Sequence, residues 1–137
     1  MSAFVLDCSV AIAWCIEDEA TPQTDALLNR IRDFGACVPQ LWGYEFTNVM
    51  LQACKKGRLN DTQLFTMFEL MEELAITIIS DTDFAHLKDI YALARAENLT
   101  SYDATYLALA MSQKKPLATL DKALRRACGH VGIEALP

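Results

Sequence analysis

Five short apolar runs, separated by longer stretches of helical pattern, constrain this chain more than any other feature. They are Ala3–Cys8, Ala36–Pro39, Ala75–Ser80, Pro116–Leu120 and Val131–Leu136. The third is the strongest strand signal, with β-branched residues at 76, 77, 78 and 79. Thr21-Pro22 reads as a helix start, Thr at the N-cap and Pro at the first helical position, with apolar residues at 27, 28, 31 and 34 behind it. Leu41 to Lys56 is helical and ends at Gly57, while Asn60 to Gln63 has capping-box spacing and opens a helix to about Glu73. Helices over Thr82 to Glu97, after a Ser101 cap, and over Lys122–Cys128 complete the alternation. Strands alternating with helices imply an α/β chain with a mainly parallel sheet covered on both faces and right-handed crossovers. Ligands bind such sheets at the carboxyl ends of the strands.

Composition narrows the function classes. At 137 residues the length fits one domain, and a 53% hydrophobic content offsets the entropy that keeps disordered chains unfolded. Eighteen acids against 12 bases give a charge of −6, which argues against wrapping DNA through a broad basic face. The longest uncharged stretch, Phe34–Tyr44, has 11 residues, too few for a membrane span. The N-terminal residues have no basic segment and carry Asp7 inside the apolar run, which disfavours a signal peptide. The five cysteines form no C-x-x-C pair and there are two histidines, so no zinc spacing exists. Free thiols suit a reducing compartment, and a cytoplasmic location is expected. Trp14, Trp42, Phe65, Phe68, Met67 and Met71 fall at core-like or interface-like helical spacing.

Most of the acids read as solvated surface, among them Glu17, Asp18, Glu19, Glu69, Glu72, Glu73, Asp81, Asp83 and Asp89. Four do not. Asp7 and Asp121 follow apolar strands at their carboxyl ends, Glu45 sits among Leu41, Trp42, Tyr44, Phe46 and Val49, and Asp103 opens an Ala/Leu-rich helix. A carboxylate in apolar surroundings needs a partner or a cation. Helix capping is the competing account for Asp7, Asp103 and Asp121. For Glu45 no Lys or Arg lies within Gln40 to Met50 to pair with it. In extended chain, Asp7 with Ser9 and Thr119 with Asp121 point the same way, and on helices Glu45 shares a face with Asn48, and Asp103 with Tyr106. A parallel sheet brings both strand tips to one edge. Four carboxylates gathered there call for a hard divalent cation, Mg²⁺ or Mn²⁺.

The ordered set Val5-Leu6-Asp7-Cys8-Ser9, Glu45 with Asn48, Asp103-Ala104 with Tyr106, Ala108 and Ala110, and Thr119-Leu120-Asp121 with Leu124 resembles the PIN-domain ribonucleases. Among them it is similar to the VapC toxins of bacterial toxin–antitoxin pairs, as is the ending Gly132-Ile133-Glu134-Ala135-Leu136-Pro137. The resemblance spans residues 1–137. It implies a three-layer α/β/α sandwich, with Asp7, Glu45, Asp103 and Asp121 as an acidic metal site and Ser9, Asn48 and Thr119 in support. It further implies an RNA substrate cut to 5′-phosphate and 3′-hydroxyl ends, a homodimer, and a cognate antitoxin. Lys122-Ala123-Leu124 stands where many relatives carry a further acid and an aromatic. Lys55, Lys56 and Arg58, and Lys114, Lys115, Lys122, Arg125 and Arg126, are either phosphate contacts or ordinary solvated helix ends. A phosphatase or receiver domain would also place acids at strand ends, but Ser9 stands where the phosphatase needs a second Asp, and the order of acids does not fit a receiver. A non-catalytic binding module on the same fold and a housekeeping RNA-processing nuclease compete with the toxin reading.

Overall fold

The computed structural model describes residues 3–80 and 83–137. Val5 and Leu6, both fully buried, form β1, and the chain turns at Asp7 straight into α1 (Cys8–Cys15). The strand expected over Ala3–Cys8 is thus cut short by a helix that the pattern does not announce. Five of its eight residues are buried, and a helix covered this widely carries no polar stripe to betray its period. One 3₁₀ turn, Glu17–Glu19, then leads to α2 (Pro22–Phe34), capped by Thr21 and Thr24, which exchange backbone and side-chain hydrogen bonds of 3.0 and 3.1 Å.

Gly35 ends α2 and starts β2 (Ala36–Pro39) with φ +73°. A Cβ there would stand 2.9 Å from the carbonyl oxygen of Ala75, which accepts the Ala36 N–H of the neighbouring strand pairing. Beyond β2 come α3 (Leu41–Lys55), α4 (Asp61–Glu73) under its Asn60–Gln63 capping box, and β3 (Ile76–Ile79). Next are α5 (Phe84–Glu97) capped by Asp83, α6 (Ser101–Gln113), β4 (Leu117–Ala118), α7 (Lys122–Val131) and β5 (Ala135–Leu136). The expected helix onset at Thr82 and the surface reading of Asp81 lie outside the described residues.

Three expectations need correction. The cap of α6 is Thr100, whose hydroxyl accepts the Asp103 N–H at 3.1 Å, so Ser101 is already helical. The last helix runs on to Val131, because Gly132 supplies the left-handed stop, which shortens the last strand. Phe65 is 69% exposed and is not core, whereas Trp42 stacks on Phe46, and Phe46 meets Phe68 edge-on.

Among the described residues the sheet has five strands, all parallel, in the order β3-β2-β1-β4-β5. Right-handed crossovers from β1 through β3 place α1–α4 on one face. The return to β4 and β5 places α5–α7 on the other. Packing agrees, with α1 against α2 and α3, and α6 against α5, α7 and strands β1, β2 and β4. The order reverses between β1 and β4, which makes their carboxyl ends the switch point of the sheet. No helix among the described residues is long and apolar enough to cross a membrane.

Candidate active site

Asp7 leaves β1 at that switch point and is 6% exposed. Its Oδ2 accepts two hydrogen bonds of 2.7 Å, from Ser9 Oγ and from Thr119 Oγ1. Ser9 lies in the first turn of α1, so its hydroxyl reaches back to Asp7 across a helix start and not along a strand. Ser9 Oγ in turn accepts the Leu120 N–H at 2.9 Å, and Thr119 Oγ1 accepts the Asp121 N–H at 3.1 Å. This knot ties the tips of β1 and β4 together. Both bonds to Asp7 fall on one oxygen, which leaves Oδ1 for the site.

The other three carboxylates arrive on helix N-termini. Asp121 is exposed and caps α7, its Oδ2 accepting the Leu124 N–H at 2.8 Å. Glu45, in the second turn of α3, accepts a hydrogen bond from the Tyr106 hydroxyl of α6, which joins the two helical layers. Asp103 lies in the first turn of α6. The end of α6 feeds β4 at the amino edge of the sheet, and 13 residues of helix span about 20 Å, so its start lies at the carboxyl edge. The N-termini of α1, α3, α6 and α7 thus meet at one edge, and their dipoles favour negative charge there.

Electrostatics records how close the acids are. Burial raises the Glu45 carboxyl above its ordinary range, the Tyr106 hydrogen bond opposes this, and the charges of Asp7 and Asp103 raise it further. Burial also raises Asp103, as do Asp121 and Asp7, with the Thr100 hydroxyl pulling the other way. Burial and the neighbouring Glu45 and Asp7 hold the Cys8 thiol protonated, and burial with Glu45 does the same for the Tyr106 phenol. None of the four acids pairs with a Lys or Arg among the described residues. Nor do three Asp, Glu, His or Cys side chains there close on one point at ligand distance. The donors are all hard oxygens. That set fits Mg²⁺ or Mn²⁺, which bind through one or two carboxylates and fill the remaining positions with water or substrate oxygens.

The supporting and basic residues divide. Ser9 and Thr119 join the knot, whereas the Asn48 side chain is exposed and has no hydrogen-bond partner among the described residues. Lys55 and Lys56 stand at the far end of α3, ten residues or about 15 Å beyond Glu45, and Arg58 pairs with Asp18 and Glu19 at 3.3 Å. Lys114 and Lys115 precede β4 and so lie at the opposite edge of the sheet. Lys122 adjoins Asp121 at the site edge. Arg125 gives its guanidinium to the carbonyls of Thr119, Leu136 and Pro137 at 2.9, 3.1 and 3.2 Å, tying β4 to the last residues. The Tyr106–Glu45 link spans 61 positions, and its only trace in the sequence is a polar tip one turn after Asp103 in an apolar helix.

A parallel 3-2-1-4-5 sheet with an oxygen-only acidic cluster at its switch point defines a class, and the sequence profile of the PIN domain matches residues 4–130. The chain belongs to the PIN-domain family. It is similar to Ribonuclease VapC3 of Pyrobaculum aerophilum, 28% identical over 120 residues that make up 88% of this chain and 90% of that one. The crystal structure of PAE2754 from Pyrobaculum aerophilum superposes with a TM-score of 0.67 at 21% identity, covering 92% of this chain and 84% of that one, a likeness of fold.

Proposed function

We propose that this protein is a divalent-metal-dependent endoribonuclease of the VapC toxin kind, acting in the cytoplasm and restrained by a cognate antitoxin. The observation that carries this reading is the convergence of Asp7, Glu45, Asp103 and Asp121 at the switch point, with no Lys or Arg paired to any of them among the described residues. Asp7 Oδ1 and the Asp103 carboxylate are the most direct ligands for Mg²⁺ or Mn²⁺, with Glu45 and Asp121 binding through water or holding a second ion. When bound, the ion supplies charge neutralisation for the phosphate and acidifies a water. Glu45, held by Tyr106 and with its carboxyl raised above its ordinary range by burial, is the proton acceptor from the attacking water. In-line attack at phosphorus leaves 5′-phosphate and 3′-hydroxyl ends and needs no 2′-hydroxyl nucleophile. The name of the VapC3 relative supports RNA as the substrate. A homodimer is part of the same reading, and sedimentation of the purified chain tests it.

The deciding experiment is cleavage of total RNA in Mg²⁺ buffer with mapped ends. The parent is expected to cut, and Asp7→Asn or Asp103→Asn to lose at least ~10²-fold in rate, as expected when a ligand to the reacting centre goes. Equal rates for parent and variants would overturn the mechanism. A small antitoxin gene beside this one separates the toxin from a housekeeping nuclease.

A further inference from the structure

We infer that a cleft lined by the chain neighbours of two site acids binds one unstacked nucleobase of a single-stranded RNA, between Tyr44 and Tyr102. This rests on the ribonuclease reading above and adds to it a site for the base.

The cleft has a volume of about 430 Å³, within the ~300–1,000 Å³ range of small-ligand pockets, and lies where the start of α3 meets α5 and α6. Tyr44 and Tyr102 are 75% and 64% exposed, large aromatic surfaces left in water. Each is the immediate neighbour of a site acid, Glu45 and Asp103. Ile90 and Leu109 belong to the apolar lining, while Gln40 and His86 offer donors and acceptors. Although 22% of the chain is charged, no Asp, Glu, Lys or Arg lines the cleft among the described residues. A phosphate would require cations and a cation would require carboxylates, whereas a neutral planar heterocycle needs the apolar and aromatic surface with a few polar groups that this cleft has. Bases stack on aromatic side chains in this way when a single strand is splayed open. Pro39 lines the cleft at the carboxyl end of β2, one strand from β1 and Asp7. Strands are ~4.8 Å apart, so a base on or next to the nucleotide whose phosphate meets the acids can reach the cleft.

The test uses the Asp7→Asn chain, and the parent in chelator, titrated with short single-stranded oligoribonucleotides carrying 2-aminopurine at each position in turn. One position is expected to lose fluorescence on binding. Tyr44→Ala and Tyr102→Ala should abolish that quench and weaken binding roughly 5- to 150-fold, the loss of ~1–3 kcal/mol of stacking, whereas Tyr→Phe at either position keeps both. A quench that survives both alanine variants overturns the assignment, as does binding with no position-specific quench, and either can occur while the parent still cleaves RNA. A parent that neither cleaves nor binds RNA overturns the ribonuclease reading itself and this inference with it. A dimeric parent that Tyr44→Ala converts to monomer with the quench unchanged gives the cleft to a second copy of the chain.

Discussion

Thr119 is fully buried, and its hydroxyl is one of two that donate hydrogen bonds to the buried Asp7 carboxylate. A hydrogen bond to a charged group is worth ~1.5–3 kcal/mol, and removing a group that orients a metal ligand typically costs 10–100-fold in activity or metal affinity. Thr119→Val, of the same shape, should therefore lose ~1–3 kcal/mol in urea denaturation and about 10–100-fold in RNA cleavage. A valine variant indistinguishable from the parent would remove the knot from any account of the site. Tyr106→Phe isolates the other contact. It should free Glu45 to titrate differently, moving the acidic limb of the pH–rate profile upward, because the Tyr106 hydrogen bond is what lowers the Glu45 carboxyl. Much of this was legible. Asp7, Ser9, Thr119 and Asp121 announce themselves as polar residues beside short apolar runs, though the Ser9 contact runs through a helix turn that strand alternation does not describe. The Glu45–Tyr106 bond was not legible, since two helices in different layers make it.

At the scale of elements, the caps at Thr21 and Asn60 read clearly, whereas the Thr100 cap, the Gly132 stop and the buried first helix did not. Asn60 with Gln63 and Thr21 with Pro22 mark their helices through local hydrogen bonds, which need no tertiary context. The helix over Cys8–Cys15 is apolar on nearly every side, and its period is invisible for that reason. The basic residues show the opposite failure. Clustered in sequence at 55–58 and 114–126, they are spread by the directions of α3, α6 and α7 over both edges of the sheet. Gly35 allows a test of an element junction. Its positive φ and the 2.9 Å approach to Ala75 both exclude a Cβ, so Gly35→Ala should destabilise the fold by about 1–3 kcal/mol, read as a lower midpoint in urea. Gly43, inside α3 with open space around its Cβ position, is the control, and Gly43→Ala should be neutral or stabilising.

For the whole molecule the acidity of the sequence takes on a location. Setting aside Asp7, Glu45, Asp103 and Asp121 leaves 14 acids against 12 bases, so most of the charge excess belongs to the candidate site. Glu45 and Asp103 have carboxyls raised in the fold, so the folded protein binds their protons more tightly than the unfolded chain does. Stability of the metal-free protein should then rise as pH falls from neutral through their raised range, and level off toward the ordinary carboxylate range. Mg²⁺ at neutral pH should stabilise the fold, by ~2.7 kcal/mol at a hundred times its Kd, and so raise Tm, and Asp103→Asn should remove most of that gain. A Tm indifferent to Mg²⁺ and to mild acid would leave the four acids without a common cation. The alternation of strands and helices made the parallel sheet legible, and with it the shared edge for Asp7 and Asp121. The order 3-2-1-4-5 arises from long-range pairing that no local pattern carries.

The bond between Asp7 and Thr119 joins positions 112 residues apart, and β1 pairs with β4 over the same interval. During synthesis the buried carboxylate of Asp7 has no second hydroxyl until Thr119, 112 residues later, has been made. A nascent or truncated chain that stops before Leu117 holds three of the four acids and leaves one edge of β1 bare, so it should have no nuclease activity. On the ribonuclease reading proposed above, timing of this kind would delay activity until the second half of the site is made, and a chain abandoned before Thr119 would leave RNA uncut.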